Sequence, residues 1–171
     1  KMGFALAEKA LQLGADVILI SGPRALEASA DIKRSSVTSS DEMYTLTMEH
    51  FSTVDIAIAA AAVADFKPRL VGKQKIKKES GIQSIELDNT QDILAQMGKL
   101  KQKQFLLGFA LETEDEKNNA IKKIKSKNLD AIVLNSLNDS GAGFSSDSNK
   151  VTYIQKNETI IPFELKSKTL V

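Results

Sequence analysis

The sequence has no cysteine, no tryptophan, three prolines and a single histidine among its 171 residues. The absence of cysteine excludes disulfide bonds, thiolate nucleophiles and cysteine-ligated metal sites. The single histidine, His50, excludes a metal site built from several histidines and disfavours a histidine-based catalytic triad. The absence of disulfide bonds fits a cytoplasmic protein, and we expect that location here.

Long apolar runs and an excess of charge of one sign are also absent. No run approaches the roughly 20 residues that a membrane-spanning helix needs, and no signal-peptide pattern is present. There are 23 Lys and Arg against 22 Asp and Glu, so the net charge of +1 gives no global field that favours nucleic acid or a membrane surface. We expect one globular domain over residues 1–171, with neither nucleic acid nor a membrane as partner.

What the sequence does contain is a regular alternation of helix and strand patterns. Helical spacing, N-capping sequences and a left-handed stop at Gly14 predict helices over residues 1–13 and directly after residues 39–42, 89–92 and 113–116. Apolar runs predict buried strands at residues 15–20, 55–59, 104–110 and 130–134. Further strands are predicted at residues 32–37, at 82–87 (half exposed) and in a terminal hairpin at 151–155 and 160–165.

This alternation predicts a Rossmann-like, three-layer α/β/α fold, with a mostly parallel sheet and some antiparallel additions. Because the chain enters in a helix, we expect its first strand to precede Lys1. Ligands of such folds bind at the carboxyl ends of the strands. Asp65, Phe109 and Asn135 are predicted to lie there.

The stretch around which the chain is organised follows the apolar run at residues 55–59. Four consecutive alanines at 59–62 allow another molecule to approach the main chain, and Asp65 is the first acid after them. Pro68 ends any regular element, and residues 73–78 then carry four lysines. An acid that can accept from a ribose or base, followed by lysines that can meet phosphate, suits a nucleotide. Close helix packing and a solvated lysine loop are the alternative interpretations.

Two further features indicate an anion site. The amides at the start of the helix that follows residues 89–92 are ready donors to ligand oxygens. Lys123 and Lys127 lie four residues apart on one helix face with no acid between them, which costs about 0.2–0.5 kcal/mol unless an anion binds there.

Several stretches of the chain resemble those of bacterial phosphopantothenoylcysteine synthetase (phosphopantothenate–cysteine ligase), which is often the C-terminal half of a bifunctional protein. They run in family order over nearly the whole chain. The matching residues are 1–3, 20–23, 61–66 (AAVADF), 75–78 (KIKK), 108–113 (GFALET), 127–130 and 144–149.

The resemblance implies a ligase of coenzyme A biosynthesis. The family activates the carboxylate of 4′-phosphopantothenate with CTP, giving an acyl-cytidylate and pyrophosphate. The cysteine amine then displaces CMP. Neither step needs a cysteine or histidine nucleophile; both need phosphate neutralisation and in-line positioning, which lysines, Mg²⁺ and helix N-termini provide.

The resemblance also implies the site residues. Lys75 is the expected catalytic residue and is expected to contact the triphosphate. Ala61 and Ala62 are expected to place their main chain near the nucleotide, and Asp65 is expected to bind its nucleoside part. The expected nucleotide-binding residues are completed by Gln91, Asp92, Ile93, Leu94, Phe109, Lys123 and Lys127. No protein-built metal site is expected, and Mg²⁺ accompanies CTP.

This chain departs from the family at several positions. The family's asparagine-serine-serine-glycine turn would precede Lys1. Gln91 stands where proline is usual, and Leu111 where alanine is usual. The family's usual terminal helix is expected beyond the last residue.

The expected assembly is a homodimer with a basic flap at about residues 70–82 near the two-fold axis. A flavin-dependent decarboxylase domain is expected upstream. The alternatives are a nicotinamide-dependent reductase and a non-catalytic nucleotide-binding domain. The reductase would use a Gly-x-Gly-x-x-Gly turn and a Tyr-x-x-x-Lys pair, and neither Tyr44 nor Tyr153 has a lysine four residues later.

Overall fold

The computed structural model describes residues 1–23, 25–72, 74, 84–112, 114–136 and 148–167. Its helices are α1 (Met2–Gln12), α2 (Ser40–Phe51), α3 (Ile93–Leu100) and α4 (Glu116–Ser126). Its strands are β1 (Ile18–Ser21), β2 (Lys33–Ser36), β3 (Ile56–Ala59), β4 (Phe66–Pro68), β5 (Leu87–Asn89), β6 (Phe105–Glu112), β7 (Ala131–Ser136), β8 (Ser148–Asn149), β9 (Val151–Gln155), β10 (Ile160–Pro162) and β11 (Lys166–Ser167).

Within the described residues, five strands form the main sheet in the order β10-β9-β7-β6-β3. Strands β3, β6 and β7 are parallel, and β9 and β10 are antiparallel additions. Strands β1 and β2 form a separate parallel pair, and β4 pairs with β5 in an antiparallel ribbon. The mixed, mostly parallel sheet flanked by helices confirms the predicted Rossmann-like α/β fold and the terminal hairpin.

The core lies between the main sheet and three helices. Leu106, Leu129, Ile132 and Ile154 are almost completely buried. They form one cluster with buried apolar residues of α2, α3 and α4, namely Phe51, Met97, Ala120 and Ile124. This packing fixes α3 and α4 against β6 and therefore fixes the polar residues at their ends.

The prediction that the strands at 55–59 and 104–110 are buried on both faces is wrong. Ile56 is 62% exposed, Ile58 42% and Phe105 39%, whereas Leu106 on the opposite face of β6 is buried. In the described part of the chain β3 is an edge strand, and the cluster with α3 and α4 covers one face. An apolar run alone does not reveal how many faces are covered.

The N-caps of α2, α3 and α4 all lie within the predicted capping segments. Ser39 caps α2 by accepting from the Glu42 amide at 3.2 Å. The Glu42 carboxylate accepts from the amide and hydroxyl of Thr38, and these bonds hold the pKa of Glu42 below its ordinary value. The third helix, α4, begins at Glu116 after the N-cap Asp115, which lies within the predicted segment 113–116. Asp115 has a left-handed φ of +44° and makes no side-chain capping bond, and Thr113 lies outside the described residues.

Other boundaries differ as well. Gly14 has the predicted positive φ of +88° after α1. The strand predicted at 82–87 is instead β5 at Leu87–Asn89, and residues 82 and 83 lie outside the described residues. None of the helices in the described ranges is long and apolar enough to cross a membrane.

Candidate functional site

The loop that follows β3 is tied to the segment that precedes α3. The Thr90 amide donates to the Asp65 carbonyl at 2.9 Å, and the Thr90 hydroxyl donates to the Ala64 carbonyl at 2.6 Å. These two bonds bring the predicted residues Asp65, Gln91 and Asp92 into one region. Thr90 itself was not predicted as a site residue, although it lies within the predicted capping sequence.

Asp92 performs two tasks at the start of α3. One carboxylate oxygen accepts from the Ala95 amide at 2.9 Å as the N-cap, and the other pairs with Lys127 Nζ at 2.8 Å. Partial burial raises the pKa of Asp92, but the bonds from Lys127 and Ala95 and the charges of Lys127 and Lys99 outweigh it, so the net pKa is lowered. Asp92 is therefore held as a carboxylate against Lys127, and this ion pair brings two of the predicted residues together.

Lys123 also has an acid partner. Its Nζ lies 2.5 Å from Oε1 of Glu112, the last residue of β6. The expected repulsion between Lys123 and Lys127 is therefore countered by an acid for each lysine, contributed by other elements rather than by α4. Helical side chains lean toward the N-terminus of their helix, which for α4 lies at the carboxyl edge of the sheet, so both lysines lean toward that edge.

A tight contact between α3 and the end of α4 fixes the main chain of Lys127. A Cβ atom added at the buried Gly98 would lie 1.9 Å from the Lys127 carbonyl oxygen. Next to it, the Asn128 side chain donates to the Gly98 carbonyl at 3.0 Å. Only glycine allows this approach, and the approach sets how far the Lys127 side chain reaches along α3.

Ala61, Ala62 and Asp65 are exposed in the loop between β3 and β4. Among the residues that the structure describes, the Asp65 carboxylate makes no hydrogen bond or ion pair. Asp65 precedes β4 directly rather than ending β3, which stops six residues earlier at Ala59. The prediction of an acid at the strand end is corrected to an acid at the entrance of the ribbon.

Three predicted residues lie apart from these polar groups. The side chains of Ile93 and Leu94 are partly buried and pack against the core. Phe109 lies inside β6, which continues to Glu112, and not at the strand end as predicted. By strand alternation its side chain lies on the face opposite Gly108 and Glu112. Lys75 lies outside the described residues.

Glu112 is the residue that sequence reasoning overlooked. It is the first acid after an apolar strand, the same signal that identified Asp65. A second overlooked contact lies at the end of β7, where the buried Asn149 donates to the Asn135 side chain at 3.1 Å. This contact joins Asn135, which is at the carboxyl edge as predicted, to β8.

The acidic side chains described at this edge do not form a metal-binding site by themselves. Across the described ranges, no group of three or more acidic or histidine side chains could hold a metal ion. Asp92 and Glu112 are already engaged by lysines, which leaves Asp65 as an available carboxylate. A magnesium ion at this edge would therefore be held chiefly by the phosphate oxygens of a ligand.

Fold and site together define a Rossmann-like α/β domain with carboxylate-anchored lysines at the carboxyl edge of its sheet. Residues 1–171 match the model of the DNA/pantothenate metabolism flavoprotein C-terminal domain. The chain belongs to that family.

Two relatives are similar to this chain over nearly all of its length. The chain is 52% identical over 170 residues to a protein from an unknown prokaryotic organism named cysteine/cysteine sulfinic acid decarboxylase, covering 98% of this chain and 47% of that protein. It is 46% identical over 158 residues to the coenzyme A biosynthesis bifunctional protein CoaBC of Bacillus subtilis (strain 168), covering 92% and 39%. The chain thus spans about half the length of these relatives or less.

The fold matches a solved structure of the same family. The crystal structure of the C-terminal domain of a coenzyme A biosynthesis bifunctional protein CoaBC superimposes with a TM-score of 0.82 at 38% sequence identity. The match covers 99% of this chain and 75% of that one.

Proposed function

We propose that this chain is a phosphopantothenate–cysteine ligase domain of coenzyme A biosynthesis. Its substrates would be 4′-phosphopantothenate, cysteine and CTP. Family membership and the similarity to CoaBC proteins support this proposal. The structural observation that carries it is the pair of lysines, Lys123 and Lys127, each held by a carboxylate. Cationic groups anchored in this way suit the triphosphate of a nucleotide.

The proposed reaction has two displacement steps. In the first, a carboxylate oxygen of 4′-phosphopantothenate attacks the α-phosphorus of CTP, the bond to the leaving phosphate breaks, and pyrophosphate departs. In the second, the cysteine amine attacks the acyl carbon of the resulting acyl-cytidylate. The bond to CMP then breaks and the amine loses a proton. Both steps develop negative charge on phosphate oxygens, and fixed positive groups stabilise such charge.

The residues of this chain have binding and orienting roles in the proposal. Lys75, Lys123 and Lys127 neutralise phosphate charge, while Asp65 accepts hydrogen bonds from the nucleoside. Ala61 and Ala62 allow the ligand to approach their main chain. The remaining contacts are Phe109 at the nucleoside and the segment Gln91, Asp92, Ile93 and Leu94 at the start of α3.

A magnesium ion bound to CTP would be held chiefly by phosphate oxygens and water, because Asp65 is assigned to the nucleoside and the carboxylates of Asp92 and Glu112 are paired with lysines. When bound, the ion would supply additional neutralisation of the triphosphate. The lysines contribute the same kind of stabilisation from the protein.

The first test is pyrophosphate release by the full-length protein that carries this chain. Release should require both CTP and 4′-phosphopantothenate. Lys75→Gln should slow it by about 10²–10³, the usual loss when one stabilising group is removed. Lys103→Gln is the matched control, because Lys103 is exposed and precedes β6, at the opposite edge of the sheet. Equal rates for both variants would overturn the role of Lys75.

A second test concerns the nucleotide. Titration with CTP, ATP and NADPH separates the ligase from a nicotinamide-dependent reductase and from a non-catalytic nucleotide-binding domain. Asp65→Asn keeps the shape and removes the charge, so it should raise the CTP requirement. Unchanged CTP affinity with lower stability would assign Asp65 to the loop structure instead.

We also propose a homodimer in which the β4–β5 ribbon lies near the two-fold axis. A two-stranded ribbon is marginally stable alone in water. The ribbon exposes Phe66 at 58% and Leu87 at 54%, and the segments that flank its strands expose Leu70 at 85%, Val71 at 81% and Ile85 at 70%. Sedimentation should give a dimer that Leu70→Asp weakens, and CTP should block protease cleavage within residues 72–80.

We further propose that a decarboxylase domain shares the polypeptide. Of the two relatives, one is named a decarboxylase and the other a bifunctional protein, and this chain matches less than half of each. Measuring flavin content and decarboxylation with the full-length protein tests this.

A further inference from the structure

The acid that holds Lys123 is much less exposed than the lysine. The Glu112 side chain is 15% exposed, whereas that of Lys123 is 43% exposed. The main chain of Glu112 is also held by the parallel sheet, because Glu112 ends β6 and is aligned with Ser136 of β7. The carboxylate is therefore largely shielded from solvent on the sheet, whereas the ammonium remains accessible to a ligand.

Lys123 keeps donors for a second acceptor. An ammonium has three N–H donors, and Glu112 takes one at 2.5 Å. No other acceptor for Lys123 Nζ is present in the part of the chain that the structure describes. The remaining donors are available to phosphate oxygens at the carboxyl edge, toward which the side chain leans.

We propose that Glu112 is a positioning residue for the ligase reaction. It holds the Lys123 ammonium where that group meets the phosphates of the bound nucleotide. This inference rests on the proposed function, since it needs a nucleotide at this edge. Phosphoryl-transfer enzymes include cases in which a lysine must be paired with a glutamate before it engages phosphate.

Two effects of removing the carboxylate oppose each other. Loss of a negative charge makes the edge more positive, which by itself favours nucleotide binding. Loss of the anchor frees a long side chain that must then be ordered during binding, which weakens binding roughly threefold to tenfold. Because Lys123 is nearly half exposed, solvent and salt screen the first effect, whereas they do not screen the ordering cost. Weaker binding is therefore expected.

The experiment uses the full-length protein with Glu112→Ala and Glu112→Gln. The matched control is Glu158→Ala, which removes the acid partner of Lys125 on the same helix. That pair has a distance of 2.7 Å and exposed fractions of 66% and 52%. Lys125 is two residues from Lys123 and so does not share its helix face.

The readouts are CTP affinity by calorimetry, and kcat and KM for CTP. Glu112→Ala should raise KM for CTP roughly threefold to tenfold and lower kcat. Glu112→Gln keeps an acceptor for Lys123, so its loss should be smaller. Glu158→Ala should match the wild type. A purely structural role would lower the folded fraction without changing kcat or KM of the folded protein.

The outcomes separate this inference from the proposed function. CTP binding by the wild type is measured first, and its failure would overturn both. If the wild type binds CTP, equal or tighter binding by Glu112→Ala with unchanged kcat overturns the positioning role alone. If Glu112→Ala does not fold, unchanged kcat and KM for Glu112→Gln at salt low enough to preserve ion pairs overturn it.

Discussion

Replacing Gly98 with alanine tests whether the contact between α3 and α4 fixes the position of Lys127. The new Cβ would lie 1.9 Å from the Lys127 carbonyl oxygen and 2.8 Å from its carbonyl carbon. Real Cβ atoms essentially never approach closer than 3.0 Å. The obstacle is main chain, so no side-chain rotation relieves it. The two segments must separate by about 1 Å.

The expected cost follows from three contributions. Alanine in a helix interior is favoured over glycine by about 1 kcal/mol. Overpacking a close contact costs about 1–3 kcal/mol, and the upper part of this range applies because backbone must move. Separation also weakens the bond from Asn128 to the Gly98 carbonyl, which contributes about 1 kcal/mol. Gly98→Ala should therefore lower the free energy of unfolding by about 2–3 kcal/mol.

Denaturant unfolding of the full-length protein and of Gly98→Ala measures this change directly. Gly3→Ala is the matched control, because Gly3 is also helical and its added Cβ would lie at an ordinary 3.8 Å from Ala60 Cβ. Gly3→Ala should be neutral or slightly stabilising. If Gly98→Ala proves as stable as Gly3→Ala, the α3–α4 contact does not constrain Lys127.

The remaining predictions concern Asp92 and the core. Asp92→Asn keeps an N-cap oxygen and should preserve most of the stability, whereas Asp92→Ala should lose about 1 kcal/mol in denaturant unfolding; equal losses would contradict the capping role. Because the folded-state pKa of Asp92 is lowered, its ionisation stabilises the fold above the unfolded-state pKa of about 4, and this contribution is lost as the pH falls through the folded value. The stability difference between wild type and Asp92→Asn should therefore be constant near neutral pH and shrink in acid; a difference independent of pH would contradict this sign. Leu106→Ala should cost about 2–5 kcal/mol and Ile56→Ala much less, since Leu106 is fully buried and Ile56 is 62% exposed.

The sequence predicted best what depends on local interactions. The Ser39 cap of α2 and the left-handed Gly14 are set by residues within one helical turn. The cap at Asp92 was likewise predicted within its four-residue segment. In each case the hydrogen-bond partner lies within a few residues, so a sequence pattern contains the information.

Features that depend on distant partners could not be predicted in this way. Lys127 and Asp92 are 35 positions apart in the chain, and Lys123 and Glu112 are 11 apart. Helical spacing therefore predicted that the two lysines are neighbours on one helix face, but it could not predict which acids pair with them. The prediction that β3 is buried on both faces was wrong for the same reason. Ile56 and Ile58 belong to a typical apolar strand pattern, but exposure depends on which elements cover each face of β3.

Lys127 is restrained at both ends, and this makes the site sensitive to packing as well as to charge. Its carbonyl is held against Gly98, near the last turn of α3, and its ammonium is held by Asp92 at the first turn of the same helix. Lys127 therefore contacts α3 both near its last turn and at its N-cap. A shift of α4 along α3 would stretch or break the ion pair without changing any charge. Lys123 lies within α4, so the same shift would move Lys123 relative to Glu112, because Glu112 belongs to the sheet. The two ion pairs thus couple the register of α4 to the position of both ammonium groups, and the glycine at residue 98 is the feature of the sequence that sets this register.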